Sequence, residues 1–375
     1  MALSLHTTRL MRIALLAPLL QRVPPVKYGG TERVIGWLAD ELVALGHDVD
    51  LYATGDCVTR GDLVPLAERA LWETDLRDPG PVRMAAFARA FAECEADVMH
   101  NHAEWAAYPF ARASHIPTVT TVHSRTDTRE SAIVHKEFSD VSLVSVSKAQ
   151  RRTLPGAGWV ANVPHGLPVD LYRPRTKRGS YLAFVGRISP EKGVHLAIEV
   201  AHRSGLPLVI GGRPPLDIWA YPEARDDQAY WEQMIKPHLG HDGIEFAGEL
   251  DDRGKQELLQ DALAFLFPID WPEPFGIVLI EAMACGTPIL ARPRGSVPEI
   301  VVDGVNGYHC EDVEELTKAI ERIGRIDRAE CRRVFEERFT ARRMAEDYVR
   351  VYAAALARSE QERVLRVAPE ETAAI

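Results

Sequence analysis

Cysteine is scarce: five in 375 residues, scattered at Cys57, Cys94, Cys285, Cys310 and Cys331, with no CxxC pair. That number and spacing argue against a disulfide framework or a zinc site and make a reducing cytoplasm the expected compartment. No apolar run approaches the roughly 18 residues of a membrane span. Excess positive charge is also missing: 44 Lys and Arg stand against 54 Asp and Glu, a formal charge of −10. Non-specific nucleic-acid binding, which relies on Lys and Arg, is therefore not expected. A phosphate ligand is not excluded, because a few basic residues in a cleft create a local positive field. The run Ile13-Ala-Leu-Leu-Ala-Pro-Leu-Leu20 follows Met11-Arg12 but lacks a small-residue cleavage site. It reads as a buried strand rather than a signal-peptide core.

What is present is an ordinary globular composition, 46% hydrophobic and 26% charged, at a length that suits two domains. Short apolar runs alternate with helical patterns. Ile13–Ala17 reads as a strand, and Val34, Leu38, Leu42 and Leu45 then recur at helical spacing until Gly46. Further strands are expected at Val49–Ala53, Val98–His100, Pro117–Val122 and Val141–Val146, with a helix over Val82–Glu93. After the Pro- and Gly-rich stretch Pro164–Lys177 the rhythm restarts: strands at Tyr181–Val185, Leu208–Ile210, Ile244–Ala247, Ala264–Phe267 and Pro288–Ala291, and a helix over Val194–His202. The alternation predicts an α/β protein with two doubly wound parallel sheets. Their carboxyl ends, where such sheets bind ligands, would face one cleft. The expected division is a loose extension 1–10, a first domain 11–172, a second domain 173–339, a helix 340–357 and a mobile tail 358–375.

Three strand-to-helix loops could carry chemistry. Asp270-Trp-Pro-Glu-Pro-Phe-Gly276 places Glu273 before a helix and Glu281 more than a turn inside it. The N–H groups of Phe275, Gly276, Ile277 and Val278 then open towards sugar oxygens or phosphate. Val185-Gly-Arg-Ile-Ser-Pro-Glu-Lys-Gly193 supplies Arg187 and Lys192, the fixed cations a diphosphate needs. Pro24–Arg33 holds Gly29 and Gly30, which allow close backbone approach to a ligand. It is not GxGxxG, and no acidic residue ends the second strand, so a nicotinamide site is disfavoured. Histidines gather at His100-Asn-His102 and His123, each after a strand and expected to point to the cleft. They lack further ligands at metal-binding spacing, so no metal or cofactor is expected.

In this order and spacing the segments resemble the family-4 retaining glycosyltransferases of the GT-B fold, over about residues 11 to 355. The carriers are Glu273-Pro-Phe-Gly-Ile-Val-Leu-Ile-Glu281, Gly295-Ser-Val-Pro-Glu, Val185–Gly193, Gly29-Gly30, Asp97-Val-Met-His-Asn-His102 and Ser145-Val-Ser-Lys-Ala-Gln-Arg151. The resemblance implies an acceptor-side first domain, a nucleotide-sugar second domain and C-terminal helices crossing back. It gives Arg187 and Lys192 the donor diphosphate and Glu281 the ribose hydroxyls. Glu273 and the amides of Phe275, Gly276 and Ile277 would hold the sugar, with His123 touching it from the first domain and Gly30 near the phosphates. It implies a metal-independent reaction with a UDP- or GDP-sugar, which agrees with the lack of an Asp-x-Asp loop; Asp48-Val-Asp50 reads as strand. The acceptor is left unidentified: small molecule, saccharide or lipid, with peripheral membrane contact left open. One departure is His165-Gly166, where many relatives carry Asn-Gly; roles from that loop are not carried over, and His100 and His102 also stay unassigned. The alternatives are a same-fold nucleotide-sugar epimerase or hydrolase, and a non-catalytic sugar-nucleotide-binding protein.

Overall fold

The computed structural model describes residues 10–27, 29–215 and 224–367. Most of the expected N-terminal extension and the end of the tail lie outside the described residues. Seven strands form the first sheet: β1 (Arg12–Leu16), β2 (Asp48–Thr54), β3 (Asp62–Ala67), β4 (Val98–Asn101), β5 (Thr118–Val122), β6 (Leu143–Ser145) and β7 (Trp159–Asn162). Six form the second: β8 (Tyr181–Val185), β9 (Leu208–Gly211), β10 (Ile244–Gly248), β11 (Ala262–Phe267), β12 (Ile289–Ala291) and β13 (Gly307–His309). The orders are β3-β2-β1-β4-β5-β6-β7 and β10-β9-β8-β11-β12-β13. All pairings are parallel.

Helices cover both faces, which is why the central strands read as unbroken apolar runs. Every residue of Ala262-Leu-Ala-Phe-Leu-Phe267 is buried, as are Ile13 to Leu16 of β1. Both sheets reverse their winding once, between β1 and β4 and between β8 and β11. A crevice opens at such a reversal because the following loops turn to opposite faces. The glycine pair 29–30 follows β1, His102 follows β4, Arg187 follows β8 and Glu273 follows β11. The fold thus gathers four separate loops at two facing crevices.

Three strands escape the sequence reading, and all lie at a sheet edge or are very short. β3 contains Pro65, which has no N–H to donate, and it sits at the edge. β7 is half-buried throughout, and β13 has three residues.

The chain crosses between domains twice, and the two crossings touch. Leu167 N–H donates to Phe339 O (3.0 Å) and Ala341 N–H donates to Leu167 O (2.8 Å). Any side chain at Gly166 would start 2.2 Å from Thr340 O, so the crossing requires glycine. The helix Ala341–Val367 then packs on the first domain, against the helix Gly30–Ala44, β4 and β5. It continues ten residues past the expected end at 357. Among the described residues no helix is long and apolar enough to cross a membrane.

This packing corrects the placement of His100. The histidine lies within β4, so its side chain follows the strand's alternation towards the helix layer rather than the cleft. It is fully buried, sharing hydrogen bonds of 2.7 Å with Tyr352 OH and Thr121 Oγ1. Tyr348 OH closes on the same threonine at 2.6 Å. Both tyrosines are fully buried, so the helix is anchored by packing and polar pairing together. Tyr352→Ala should cost about 3–5 kcal/mol of stability, read by urea denaturation. Val364→Ser, at a side chain 68% exposed on the same helix, should stay within about 0.5 kcal/mol. Equal effects would contradict the anchoring.

Candidate active site

The cleft's second-domain wall is built on the turn Pro190–Lys192 after β8. It ends at Gly193, whose φ of 74° and whose missing Cβ let it lie against Pro268 O. That contact seats the turn against the loop after β11. As a result Lys192 Nζ donates to Glu273 Oε2 at 2.6 Å. Trp271 Nε1 donates to the same oxygen at 2.9 Å, and Nζ lies 4.5 Å from the indole centroid. Arg125 of the first domain stands 5.1 Å from that ring. Arg187 pairs with Glu191 and lies 3.7 Å from Asp227. Lys192 and Glu273, 81 residues apart in sequence, are thus direct partners. Trp271 was visible inside a singled-out motif but given no role; Arg125 carried no sequence signal.

The helix Ile277–Ala284 opens at Gly276, whose φ is 80°. Phe275, Gly276, Ile277 and Val278 line the cleft, as expected from sequence. Glu281 is buried in the helix's second turn. Its Oε1 accepts from Lys255 Nζ and from Tyr172 OH, the latter at 3.2 Å. Tyr172 OH is also 3.1 Å from Asp252 Oδ1, and Asp252 pairs with Arg33 of the first domain at 2.6 Å. Burial alone would raise the Asp252 pKa, but Lys255 and Arg33 outweigh it and hold the carboxyl below its usual range. The sequence reading missed Lys255, Asp252, Arg33 and Tyr172, because nothing local marks pairs so far apart in the chain.

The first-domain wall carries Lys27, Arg33 and Arg125 together with an uncharged patch of glycines and histidines. Gly30 approaches so closely that a side chain there would meet Ile277 Cδ1 at 3.3 Å; Gly29 and Gly30 both line the cleft. His123 lines it too, with its backbone N–H held by Glu104 Oε1 at 2.9 Å. Its Nε2 shares a 2.9 Å hydrogen bond with His102 Nδ1. His102 therefore stands behind His123 and does not line the cleft as expected. His165 does line it, stacked on His123 at 5.2 Å and 19° and edge-on to Phe275 at 4.9 Å. Burial pushes the His123 imidazole down to about 3. Burial, and then the neighbouring imidazoles or Arg343, hold His102 and His165 well below the ordinary range. Among the described residues no three His, Cys, Asp or Glu side chains gather as a metal set.

Two parallel α/β domains that meet at their winding reversals define the GT-B architecture. A model of glycosyl transferases group 1 matches residues 173–338, and one of glycosyltransferase family 4 matches residues 28–161. Glycogen synthase of Mycobacterium tuberculosis is 27% identical over 358 residues, covering 80% of this chain and 83% of its own. Phosphatidyl-myo-inositol mannosyltransferase of the same organism is 27% identical over 327 residues, covering 80% and 82%. Sucrose-phosphate synthase from Thermosynechococcus elongatus shares the fold at a TM-score of 0.69 and 21% identity, covering 96% of this chain and 100% of that one. So does the Anabaena HepE protein in complex with UDP and glucose, at 0.70 and 19%, covering 92% and 100%. The chain belongs to the family-4 glycosyltransferases of the GT-B fold, and it is a glycosyltransferase.

Four neutral histidines make the fold acid-sensitive. His100, His102, His123 and His165 all titrate below the unfolded value of about 6.5. Their contribution is complete above that pH and is lost as pH falls towards the folded values, because only the unfolded chain takes up protons there. Each adds up to about 1.4 kcal/mol per pH unit to the slope. Urea denaturation at pH 7.5, 6.5 and 5.5 should show stability falling steeply below 6.5, and less steeply in His165→Phe. A flat profile would mean the imidazoles are not neutral in the fold.

Proposed function

We propose that the chain is a retaining hexosyltransferase that takes its sugar from a UDP- or GDP-sugar, without a metal, and delivers it to an acceptor still to be identified. The observation that carries this reading is the meeting of Lys192 with Glu273 beside Arg187. Two cations and a carboxylate on one cleft wall support a diphosphate and its sugar as the ligand. The UDP and glucose bound by the Anabaena relative support a nucleotide-sugar donor. Five free, buried thiols fit a reducing cytoplasm.

On this reading Arg187 and Lys192 neutralise charge as it develops on the leaving diphosphate, the step at which fixed cations act most strongly. Glu273 and the amides of Phe275, Gly276, Ile277 and Val278 orient the sugar hydroxyls. Glu281 takes a ribose hydroxyl: both its protein contacts use Oε1, and among the described residues Oε2 has no partner. Gly29 and Gly30 let the first domain close over the phosphates. His123, neutral at pH 7 because burial holds it near 3, is too weak a base to take the acceptor's proton. A donor phosphate oxygen receives it on the same face, and that route gives retention.

The test is proton NMR of the first product formed, in buffer containing EDTA. Transfer should proceed, and an α-linked donor should give an α-linked product. A β-linked product removes the retaining assignment; activity that needs added Mn²⁺ or Mg²⁺ removes metal independence. Lys192→Ala should lower turnover by roughly 100-fold or more, with UDP affinity falling less. Near-normal turnover in the folded variant would take Lys192 out of the mechanism.

A further inference from the structure

In the cleft, Lys192, Lys255, Arg187 and Arg33 each meet a carboxylate. Three arginines on the far side of the second domain do not. A cavity of about 350 Å³ opens there, lined by Arg178, Arg325 and Arg328. Its place follows from the strands: Arg178 precedes β8, Leu263 stands second in β11, and Pro288 comes just before β12. These are the amino ends, whereas the cleft lies at the carboxyl ends. The length of β8 and β11, roughly 15–20 Å, separates the two.

Arg328 is 7% exposed. Its guanidinium donates to the carbonyls of Arg175, Ala262 and Gln260 and to Thr287 Oγ1, at 2.6 to 3.0 Å. All four acceptors are uncharged, and one of the five guanidinium N–H groups is left over on Nη1. Asp261 acts on it only from a distance and is itself paired with Arg175. Burial outweighs that help and pulls the group below its ordinary pKa. A buried charge without a counter-ion is costly, so Arg328 is an unmatched positive centre held in place by its hydrogen bonds.

Arg178 and Arg325 are exposed, and among the described residues neither has an ion pair. Arg178 lies across the turn Ile323–Arg325, where a side chain at Gly324 would start 3.1 Å from its Nη1. Asp327 lines the cavity as well, but its Oδ1 is engaged by Ala329 N–H at 2.9 Å, capping the helix Arg328–Arg338. Three guanidiniums thus stand beside one engaged carboxylate, on a chain whose formal charge is −10. Overall composition does not account for that local excess.

We propose that this cavity is a second ligand site, separate from the cleft, that takes the phosphate monoester of a small polar molecule. A monoester carries close to two negative charges at neutral pH and three acceptor oxygens. That suits two exposed guanidiniums beside a buried one. The volume falls within the range of small-molecule pockets, about 300–1,000 Å³, and leaves room beyond the phosphate group. Leu263, Ile323 and Ile326 offer apolar surface to the rest of the ligand. The assignment does not depend on what the cleft binds.

Calorimetry on the full chain tests it with ribose 5-phosphate and glycerol 3-phosphate, against ribose, glycerol and inorganic phosphate. At least one ester should bind the wild type saturably, and the uncharged parent should not. The double variant Arg178→Ala, Arg325→Ala should bind that ester about tenfold more weakly or worse. Its Tm should be unchanged, because both side chains are exposed. Lys192→Ala, in the cleft, should bind the ester as the wild type does. No saturable binding of either ester to the wild type overturns the proposal, as does equal affinity in the double variant. A loss in Lys192→Ala as large as in the double variant places the ester in the cleft and overturns it too. Inorganic phosphate bound as tightly as the esters overturns the monoester assignment.

Discussion

The arrangement of the site depends on the contact between the two chain crossings, where Leu167 exchanges hydrogen bonds with Phe339 and Ala341. That contact sends the last helix onto the first domain, while residues 328–338, just before it, pack on the second. Arg343, less than a turn into the helix, grips the carbonyls of Pro164 and His165. Tyr348 and Tyr352, one and two turns further on, reach Thr121 and His100. His100 in turn packs on His102 at 3.9 Å, and His102 holds His123. A single helix therefore buttresses the histidine patch of the cleft from behind. Because its N-terminus sits at the crossing, any change in the angle between the domains acts at the point where His165 is clamped. Domain closure and the shape of the proposed sugar pocket are mechanically one problem.

The rest of the cleft is organised by charge pairs, one of which spans the two domains. Lys192 with Glu273, Lys255 with Glu281, Arg33 with Asp252 and Arg187 with Glu191 leave these cations matched in the free protein. An isolated buried charge loses far more hydration than one partner can return. Pairing keeps the lysines and arginines charged and in place. An arriving anion then exchanges partners instead of being the first counter-charge they meet. The Arg33–Asp252 pair has a second consequence, since it joins the first domain's opening helix to the second domain. It is continuous through Tyr172 with Glu281, the residue assigned to the ribose. Nucleotide contact and interdomain contact share one hydrogen-bonded set.

Legibility in the sequence followed the range of the interaction. Central strands such as β1 and β11 announce themselves because burial on both faces forces an unbroken apolar run, visible within six residues. β3, β7 and β13 do not, since one edge is free and neither burial nor length imposes a pattern. The loop residues were found because backbone chemistry is local: a helix start after glycine, or two cations after a strand. Arg33 and Asp252 lie 219 residues apart and nothing near either one announces the other. His100 was misplaced for a related reason. One residue decides whether a side chain at a strand's end follows the strand's alternation or leaves with the loop. β4 runs to Asn101, so His100 belongs to the helix layer.

The uncharged histidine patch bears on the chemistry proposed beside it. If the leaving diphosphate lies against the second domain, developing negative charge meets Arg187 and Lys192, where electrostatic stabilisation is largest. The sugar, gaining positive character, would then lie between Glu273 and uncharged imidazoles. Protonated histidines at that place would oppose an oxocarbenium-like sugar; neutral ones hydrogen-bond it without repelling it. The burial that keeps His102, His123 and His165 neutral is thus compatible with a dissociative transfer in a way that an exposed, titrating cluster would not be. It also explains why the acid sensitivity of the fold and the electrostatics of the cleft have one origin: the same dry packing that removes the protons from these rings sets the polarity the sugar would meet.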